Sequence, residues 1–430
     1  MNKTRLFKKT IIAATIALAS QQAVAAGFQL NAQSATGLGR AFAGDAVIAD
    51  NASSMARNPA TMALFDETAM SLGFVSITSM IEVKDATYNN INGSQLSSNY
   101  DDAGATSIVP NLHIIVPVND KFAWGVNAYS NFGTKTDFGD SFVGSEYGGQ
   151  TEILSVNFGL AGSYRIDKQW SVGAGLDFIY GQGTLKRSLS DSFYDGPVYP
   201  ANIDGGQTSY LDSQNGSSRL DVDSADGWGV GFNIGTVYEL DENNRFGLAY
   251  RYSPEITAED GDQKIKLPLP DMAEFSGYHR LENSKFAVHY SAQWIGWKAF
   301  EDLKLNNVAI KEYNWKNTYH ISLGGTYYLN QDWTLRAGYM FDESAQDKTT
   351  SFSVPDSDRN WLSTGFTYHM SPKSNIDFGF TYLIGSDVDV TEKTANPNFG
   401  QPGQPEYISS MTGTTHADAI LVGLQYSRTF

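Results

Sequence analysis

The sequence predicts an all-β protein, a 14-stranded antiparallel transmembrane β-barrel with an N-terminal plug in its lumen. Three observations lead to this prediction. An export signal begins the chain, apolar residues alternate with small or polar ones along many short segments, and the last such segment ends on a phenylalanine. We expect three parts: a signal peptide over residues 1–25, a plug (or hatch) over residues 26–67 and the barrel over residues 68–430.

The first 25 residues have the three parts of a bacterial export signal. Four basic residues between positions 3 and 9 precede a short apolar stretch over residues 10–20, and residues 23–25 read Ala-Val-Ala, a small-residue cleavage site. The apolar stretch is shorter than the ~20 residues of a membrane helix. We therefore expect the mature chain to begin at Ala26.

The composition excludes several classes of protein. The 430 residues include no cysteine, which rules out disulfide scaffolds, thiolate metal sites and cysteine nucleophiles. Acidic residues number 47 against 30 basic ones, and the formal charge of −17 makes nucleic-acid binding a poor hypothesis. We expect no nucleic-acid partner, no metal and no cofactor.

Alternation with a period of two residues recurs after the signal. Along residues 155–166 large apolar side chains face one way and small or polar ones the other, and five further segments repeat the pattern. A soluble sandwich would also alternate. A membrane barrel is favoured by aromatic residues near the strand ends, by short turns that alternate with long loops, and by the terminal Phe430.

Short polar turns give the strand count. Six of them predict six hairpins, and an opening strand near 69–86 and a closing strand near 415–430 bring the total to 14. The turns are Asn119–Lys121, Asp167–Gln169, Asp241–Asn244, Glu282–Ser284, Asn330–Asp332 and Ser371–Lys373. Both chain ends then lie on the short-turn side, and the long loops are extracellular. These loops are expected at about 87–105, 135–150, 188–218, 253–272, 298–314, 343–358 and 386–416.

Residues 26–67 do not alternate and are rich in small residues. A barrel of 14 strands is wider than the packed eight-stranded barrels and narrower than the open porins of about 16 strands, so its lumen needs filling. A compact N-terminal plug is the simplest interpretation, and it argues against a general hydrophilic porin.

Several fragments of the mature chain occur in the order of one known family. They are Ala-Gly-Phe-Gln-Leu-Asn at 26–31, Arg-Asn-Pro-Ala at 57–60, Val-Pro-Asn-Leu-His at 109–113, Ser-Asn-Phe-Gly at 130–133 and Pro-Asp-Ser-Asp-Arg-Asn-Trp-Leu-Ser at 355–363. In this order the chain resembles the FadL-type long-chain fatty-acid transporters. The resemblance covers nearly all of the mature chain and implies a Gram-negative outer-membrane barrel with an N-terminal hatch.

The resemblance also implies a mechanism. Long-chain fatty acids or similar hydrophobic compounds would enter passively, helped by binding, and would leave sideways into the bilayer after hatch movement at a kinked strand. Outer-membrane lipid and lipopolysaccharide would surround the barrel. A closed barrel with its own plug needs no second copy, so we expect a monomer.

The resemblance assigns residues to the ligand site. They are Phe28, Leu185, Arg187, Trp297, Leu303 and Lys304. Arg187 and Lys304 would bind the ligand carboxylate, with Lys298 and Lys311 as alternatives for the second cation. Phe28 would line the pocket, and the other three residues would bind the tail of the ligand. Less specific interpretations stay open: a solvated Arg187, or Trp297 as an interfacial girdle residue.

A second group of residues would form the hatch and the strand kink. They are Asn58, Pro59, Ala60, Asn131, Phe132 and Gly133. Gly133 breaks the strand pattern, which marks the kink, and the Asn58–Ala60 tripeptide would shape the hatch beside it. The polar, glycine-rich 188–218 loop departs from the family, in which a loop groove can capture ligand first.

Other functions were weighed against transport. The six histidines lie in no recognised catalytic motif, so we expect no catalytic residues and no enzyme. The alternative function is a surface adhesin or phage receptor that acts through the long extracellular loops. Loop deletion would abolish that role and spare uptake.

Overall fold

The structure, a computed structural model, describes residues 27–194, 216–396 and 405–430. The predicted signal peptide over residues 1–25 lies outside the described residues. Within the described part, no helix is both long and apolar enough to cross a membrane.

Strands account for most of the described chain. The strands are β1 (Ala69–Asn89), β2 (Gln95–Ser97), β3 (Thr106–Pro117), β4 (Phe122–Tyr129), β5 (Gly133–Asp137), β6 (Gln150–Arg165), β7 (Trp170–Ser188), β8 (Ser218–Glu239), β9 (Asn244–Tyr252), β10 (Glu255–Asp260), β11 (Gln263–Pro268), β12 (Met272–Arg280), β13 (Phe286–Ile295), β14 (Asp302–Leu305), β15 (Val308–Glu312), β16 (Thr318–Tyr328), β17 (Trp333–Asp342), β18 (Arg359–Ser371), β19 (Ser374–Ile384), β20 (Val388–Ala395) and β21 (Tyr407–Thr429). The helices are α1 (Ala35–Leu38) and the 3₁₀ turns η1 (Ala52–Ala56), η2 (Pro59–Leu64) and η3 (Trp297–Ala299).

The described strands close into a barrel of 14, as predicted. The wall consists of β1, β3, β4 continued by β5, β6, β7, β8, β9, β12, β13, β16, β17, β18, β19 and β21. All neighbours are antiparallel, and β1 pairs with β3 on one side and with β21 on the other, which closes the ring. The short strands β2, β10, β11, β14, β15 and β20 belong to the long loops.

The six predicted turns join neighbouring wall strands. Four begin with Asn or Asp, whose side-chain oxygen accepts the backbone N–H groups two and three residues later, as an Asx turn requires. These residues are Asn119, Asp167, Asp241 and Asn330. Local chemistry therefore sets each of these hairpins.

The two faces of the wall differ as the alternation predicted. Outward side chains such as Leu160, Leu176 and Leu323 are half exposed to the surroundings of the barrel. Inward side chains such as Asn157 and Asp177 are buried against the lumen contents. Only an apolar environment suits such an outer face, which agrees with a membrane barrel.

The segment that precedes β1 fills the lumen. Its small residues permit close backbone approach to the wall. An ideal Cβ atom on Gly39 would lie 3.0 Å from the Cα atom of Gly365 on β18, tighter than ordinary van der Waals contact.

Buried ion pairs hold the plug in place. Arg40 binds Asp45 at 2.6 Å and Asp50 at 2.8 Å within the plug. Asp50 also accepts a bond from Arg336 of β17, at 3.4 Å. Arg57 of the plug pairs with Glu274 of β12 at 3.2 Å. Burial alone would raise the pKa of Asp50, but the charges of Arg40 and Arg336 outweigh burial and lower it, which keeps the carboxylate ionised.

We predict that Arg40→Ala loosens the plug. The change leaves the buried carboxylate of Asp45 and the more exposed carboxylate of Asp50 without their shared cation, and breaking a buried pair such as Arg40–Asp45 costs about 3–5 kcal/mol. Ion leakage through the barrel in planar bilayers should rise well above that of the unmodified protein. Lys373→Ala is the control, because its ion pair with Glu67 is exposed. Equal leakage in both variants would show that these ion pairs do not hold the plug.

Candidate functional site

Among the described wall strands, the one formed by β4 and β5 is interrupted. The break lies between Tyr129, where β4 ends, and Gly133, where β5 begins. The β3 strand pairs with β4 only from Leu112 to Pro117, and β5 pairs only with β6. Asn131, Phe132 and Gly133 lie at this break. Residues 106–111 of β3 therefore have no strand partner on the side that faces β5, which leaves a gap in the backbone pairing of the wall.

The start of the plug pairs with the broken strand. Leu30 N donates to Asn131 O at 2.6 Å, and Gly133 N donates to Phe28 O at 2.7 Å. Gln29 and Phe132 form an antiparallel bridge between these two bonds. Residues 28–30 thus act as a short extra strand, and any movement of them leaves the kink without these partners.

The Asn58–Ala60 tripeptide lies elsewhere. Asn58 caps η2 by accepting the Ala60 N–H, and its amide donates to Ala46 O at 2.7 Å and to Thr236 O of β8 at 3.0 Å. The backbone of Pro59 and Ala60 packs against Gly173 of β7. These recorded contacts tie the tripeptide to β7 and β8, and the structure does not bring it to the kink.

An apolar cavity opens above Phe28. Its lining includes Phe28, Ile153, Leu185, Ile256, Leu267, Phe300 and Leu303. The Phe28 ring is fully buried, and its centroid lies 4.7 Å from that of Trp297 and 5.2 Å from that of Phe300. The cavity measures only about 40 Å³, whereas small-molecule pockets usually exceed ~300 Å³. Phe28 thus occupies space that a large ligand would need.

A second, polar cavity of about 470 Å³ lies at the extracellular mouth. It shares Leu185, Leu303 and Tyr313 with the apolar cavity, so the two cavities are adjacent and these side chains lie between them. Arg187 and Lys311 line the mouth cavity. The combined site is amphipathic, with apolar walls near Phe28 and cations at the mouth.

Arg187 has neutral hydrogen-bond partners. Its guanidinium donates to the carbonyls of Gln150 and Lys186 and to the hydroxyl of Thr151, each at 2.7 Å. Among the described residues it forms no ion pair with a carboxylate. Leu185 lies two positions earlier on β7 and points the same way, as alternation in a strand requires. A partly buried cation without a carboxylate partner among the described residues therefore lies next to an apolar wall.

The structure places Lys311, and not Lys304, with Arg187. In the β14–β15 hairpin Leu303 is the register partner of Lys311, so both side chains share the face that lines the cavity. Lys304 follows Leu303 and points away, and its exposed ammonium binds Asp302 at 2.9 Å. That hydrogen bond raises the pKa of Lys304. Lys298 is also exposed and lines neither cavity.

Several site residues were not singled out from the sequence. They are Ile256, Phe300, Tyr313, Trp315 and Glu392. Tyr313 and Trp315 alternate just after Lys311, which is a weak signal of a shared face. Nothing in the spacing of the chain links Glu392 to Lys311, because loop folding brings them together.

The fold and the site define an outer-membrane channel with a plugged lumen and an amphipathic site at its mouth. A family model described as "Outer membrane protein transport protein (OMPP1/FadL/TodX)" matches residues 16–430. The chain belongs to this family. It is an outer-membrane transport protein and not an enzyme.

Relatives match nearly the whole chain. A long-chain fatty acid transport protein of Escherichia coli O6:H1 is 36% identical over 430 residues, which cover 91% of this chain and 94% of the relative. Outer membrane protein P1 of Haemophilus influenzae (strain Rd) is 34% identical over 466 residues, 99% of each chain.

Solved structures share the fold at lower identity. A Pseudomonas aeruginosa FadL homologue matches with a TM-score of 0.76 at 20% identity, and covers 94% of this chain and 100% of its own. The Pseudomonas putida toluene transporter TodX matches with a TM-score of 0.59 at 17% identity, over 87% and 92% of the two chains. These likenesses concern the fold alone.

We predict that Gly27→Ala displaces Phe28 from the apolar cavity. Gly27 has a φ of +59°, and a Cβ atom there would lie 2.6 Å from the Cζ2 atom of Trp297. Strain and clash of about 1–2 kcal/mol should open the cavity about tenfold more often. Because the chain has no cysteine, the reaction of Leu185→Cys with a soluble maleimide reports this opening.

Lys304→Cys is the matched control for this measurement, since its exposed position should react equally fast with and without Gly27→Ala. An unchanged rate at Leu185→Cys would mean that the N-terminal segment does not close the cavity.

Proposed function

We propose that this protein takes up long-chain fatty acids or similar hydrophobic compounds across the outer membrane, passively and with the help of binding. The observation that carries the proposal is the position of the apolar cavity directly beside a mouth cavity lined by Arg187 and Lys311. A relative named for long-chain fatty acid transport, 36% identical over 91% of this chain, supports it.

The two halves of the site match the two halves of an amphiphile. Each buried methylene of an acyl tail contributes about 0.8 kcal/mol. A carboxylate forms charge-assisted hydrogen bonds with guanidinium and ammonium groups. We assign Arg187 and Lys311 to the carboxylate, and Leu185, Trp297 and Leu303 to the tail. Lys304 has no part in this assignment, because it points away from both cavities.

Passage requires the hatch to move. The cavity is too small for a long tail while Phe28 fills it, so withdrawal of residues 28–30 makes room for the ligand. The same withdrawal breaks the bonds to Asn131 and Gly133 and uncovers the gap between β3 and β5. The ligand then leaves sideways into the bilayer, down its concentration gradient.

An aromatic hydrocarbon is the second candidate ligand. The rings of Trp297, Phe300 and Trp315 surround Phe28, with centroids 4.7 to 5.7 Å away, and would suit a flat apolar guest. The solved relative TodX is named as a toluene transporter. The cations at the mouth favour the acid.

We predict that Arg187→Ala and Lys311→Ala each weaken fatty-acid binding. Loss of one charged hydrogen-bond partner costs about 1.5–3 kcal/mol, which raises Kd at least about tenfold. Binding of a radiolabelled long-chain fatty acid to the purified barrel measures the effect, and uptake by a Gram-negative host without its own transporter should fall in parallel.

Lys304→Ala should bind and transport like the unmodified protein. The methyl ester of the same acid should bind all variants equally, since it has no charge to pair. Equal losses for the acid and the ester would contradict the carboxylate assignment, and preferential binding of toluene would favour the second candidate.

A disulfide that fixes the start of the hatch to the kink should block transport without unfolding the barrel. Bridge partners such as Gln29 and Phe132 have Cα atoms about 4.5–5.5 Å apart, within the range of a disulfide. We predict that Gln29→Cys/Phe132→Cys abolishes uptake when oxidised and regains most of it after reduction. Each single cysteine variant is the control. Full uptake by the oxidised pair would show that the hatch start need not leave the kink.

A further inference from the structure

The ammonium of Lys311 already has a carboxylate partner in the unliganded protein. Its Nζ atom lies 2.9 Å from Oε2 and 3.1 Å from Oε1 of Glu392 on β20. The hydroxyls of Ser351 and Ser353 accept its other bonds, at 2.7 and 3.0 Å. Both partners of this ion pair are largely buried and line the mouth cavity.

The two cations of the cavity therefore differ. Arg187 has only neutral acceptors among the described residues, whereas Lys311 is neutralised by Glu392. An incoming carboxylate can bind Arg187 without displacing another carboxylate from it. It can bind Lys311 only by displacing Glu392, because one ammonium with three donors already has three partners.

We propose that Glu392 is an internal competitor for the carboxylate of the ligand. This inference rests on the proposed function and deepens it. In the empty protein Glu392 occupies the place on Lys311 that the ligand carboxylate takes in the loaded one. The Glu392 carboxylate holds the Lys311 ammonium in position and stabilises its charge. It lowers the affinity for acids and leaves the affinity for uncharged ligands unchanged. A transporter benefits from that limit, because very tight binding would hinder release.

Displacement of Glu392 from Lys311 also changes the contacts between the loops at the mouth of the barrel. Lys311 belongs to β15, Ser351 and Ser353 to the loop before β18, and Glu392 to β20, so one cluster joins three extracellular segments. Glu392 also accepts the backbone N–H of Phe352 at 2.8 Å. A ligand that takes Lys311 releases β20 from β15, and the arrival of an acid is thereby coupled to loosening of the loops.

The decisive variant is Glu392→Gln. The amide keeps the oxygen that Phe352 N–H needs and removes the charge that holds Lys311. Glu312→Gln is the matched control. Glu312 lines the same cavity, but among the described residues it forms no ion pair with Lys311. If a carboxylate acted only through its long-range electric field, both substitutions would change the Kd for the acid. If Glu392 competes for Lys311, only Glu392→Gln changes it.

The experiment measures Kd for a radiolabelled long-chain fatty acid and for its methyl ester with full-length mature barrels in lipid nanodiscs. We expect Glu392→Gln to lower Kd for the acid about three- to tenfold, and Glu312→Gln to change it less than about twofold. Kd for the ester should stay constant. In a Lys311→Ala background the gain from Glu392→Gln should vanish.

The outcomes separate this inference from the proposed function. Glu392→Gln and Glu312→Gln could lower the Kd for the acid equally, or the fall with Glu392→Gln could persist in the Lys311→Ala background. Either result would overturn the proposal that Glu392 competes with the ligand and would leave transport of acids intact. A correctly folded unmodified barrel that binds neither the acid nor the ester would overturn both. Retention of the compact, heat-modifiable gel form shows that each variant has folded.

Discussion

The structure depends on the rule that no backbone polar group is left unpaired in lipid. Each unsatisfied N–H or C=O in hydrocarbon costs several kcal/mol, so a spanning sheet must close on itself. Pairing of β1 with β21 meets this requirement around the ring, and the break above β4 is the exception. There the plug supplies residues 28–30 as the missing partner. The kink residues therefore keep these backbone partners only with the plug in place, which ties the proposed side opening to the position of the hatch.

The plug combines two kinds of contact with different tasks. Deep in the lumen, the buried Arg40–Asp45 pair holds the plug together and the buried Arg57–Glu274 pair ties it to β12, and both are costly to break. At its start, Phe28 is held by aromatic packing, and Phe28 and Leu30 each form one backbone bond with the kink. Aromatic pairs contribute only about 0.5–1.5 kcal/mol each beyond their buried area. The first residues can therefore move while the body of the plug stays fixed.

Sequence reasoning predicted the wall because its signals are local. Alternation assigns each face, and Asn or Asp at the start of a turn fixes the hairpin, so strand number and loop positions were correct. The side-chain site was harder to predict. Lys304 follows Leu303 in β14, a short strand that the sequence analysis did not predict. Because neighbouring side chains in a strand point to opposite faces, Lys304 and Leu303 cannot both line the cavity. The pairing of Lys311 with Glu392 depends on loops that are distant in sequence, and no local pattern contains it.

The pairing of the first wall strand with the last has a consequence for assembly. Because β1 and β21 lie at opposite ends of the barrel sequence, the ring cannot close until the final residues have been delivered. Contacts of such long sequence separation form slowly. The plug precedes β1 in the chain and lies inside the finished ring, so β1, which carries the plug, is also one of the two strands that close the ring. The strand that closes the channel wall and the segment that fills its lumen are thus neighbours in the chain.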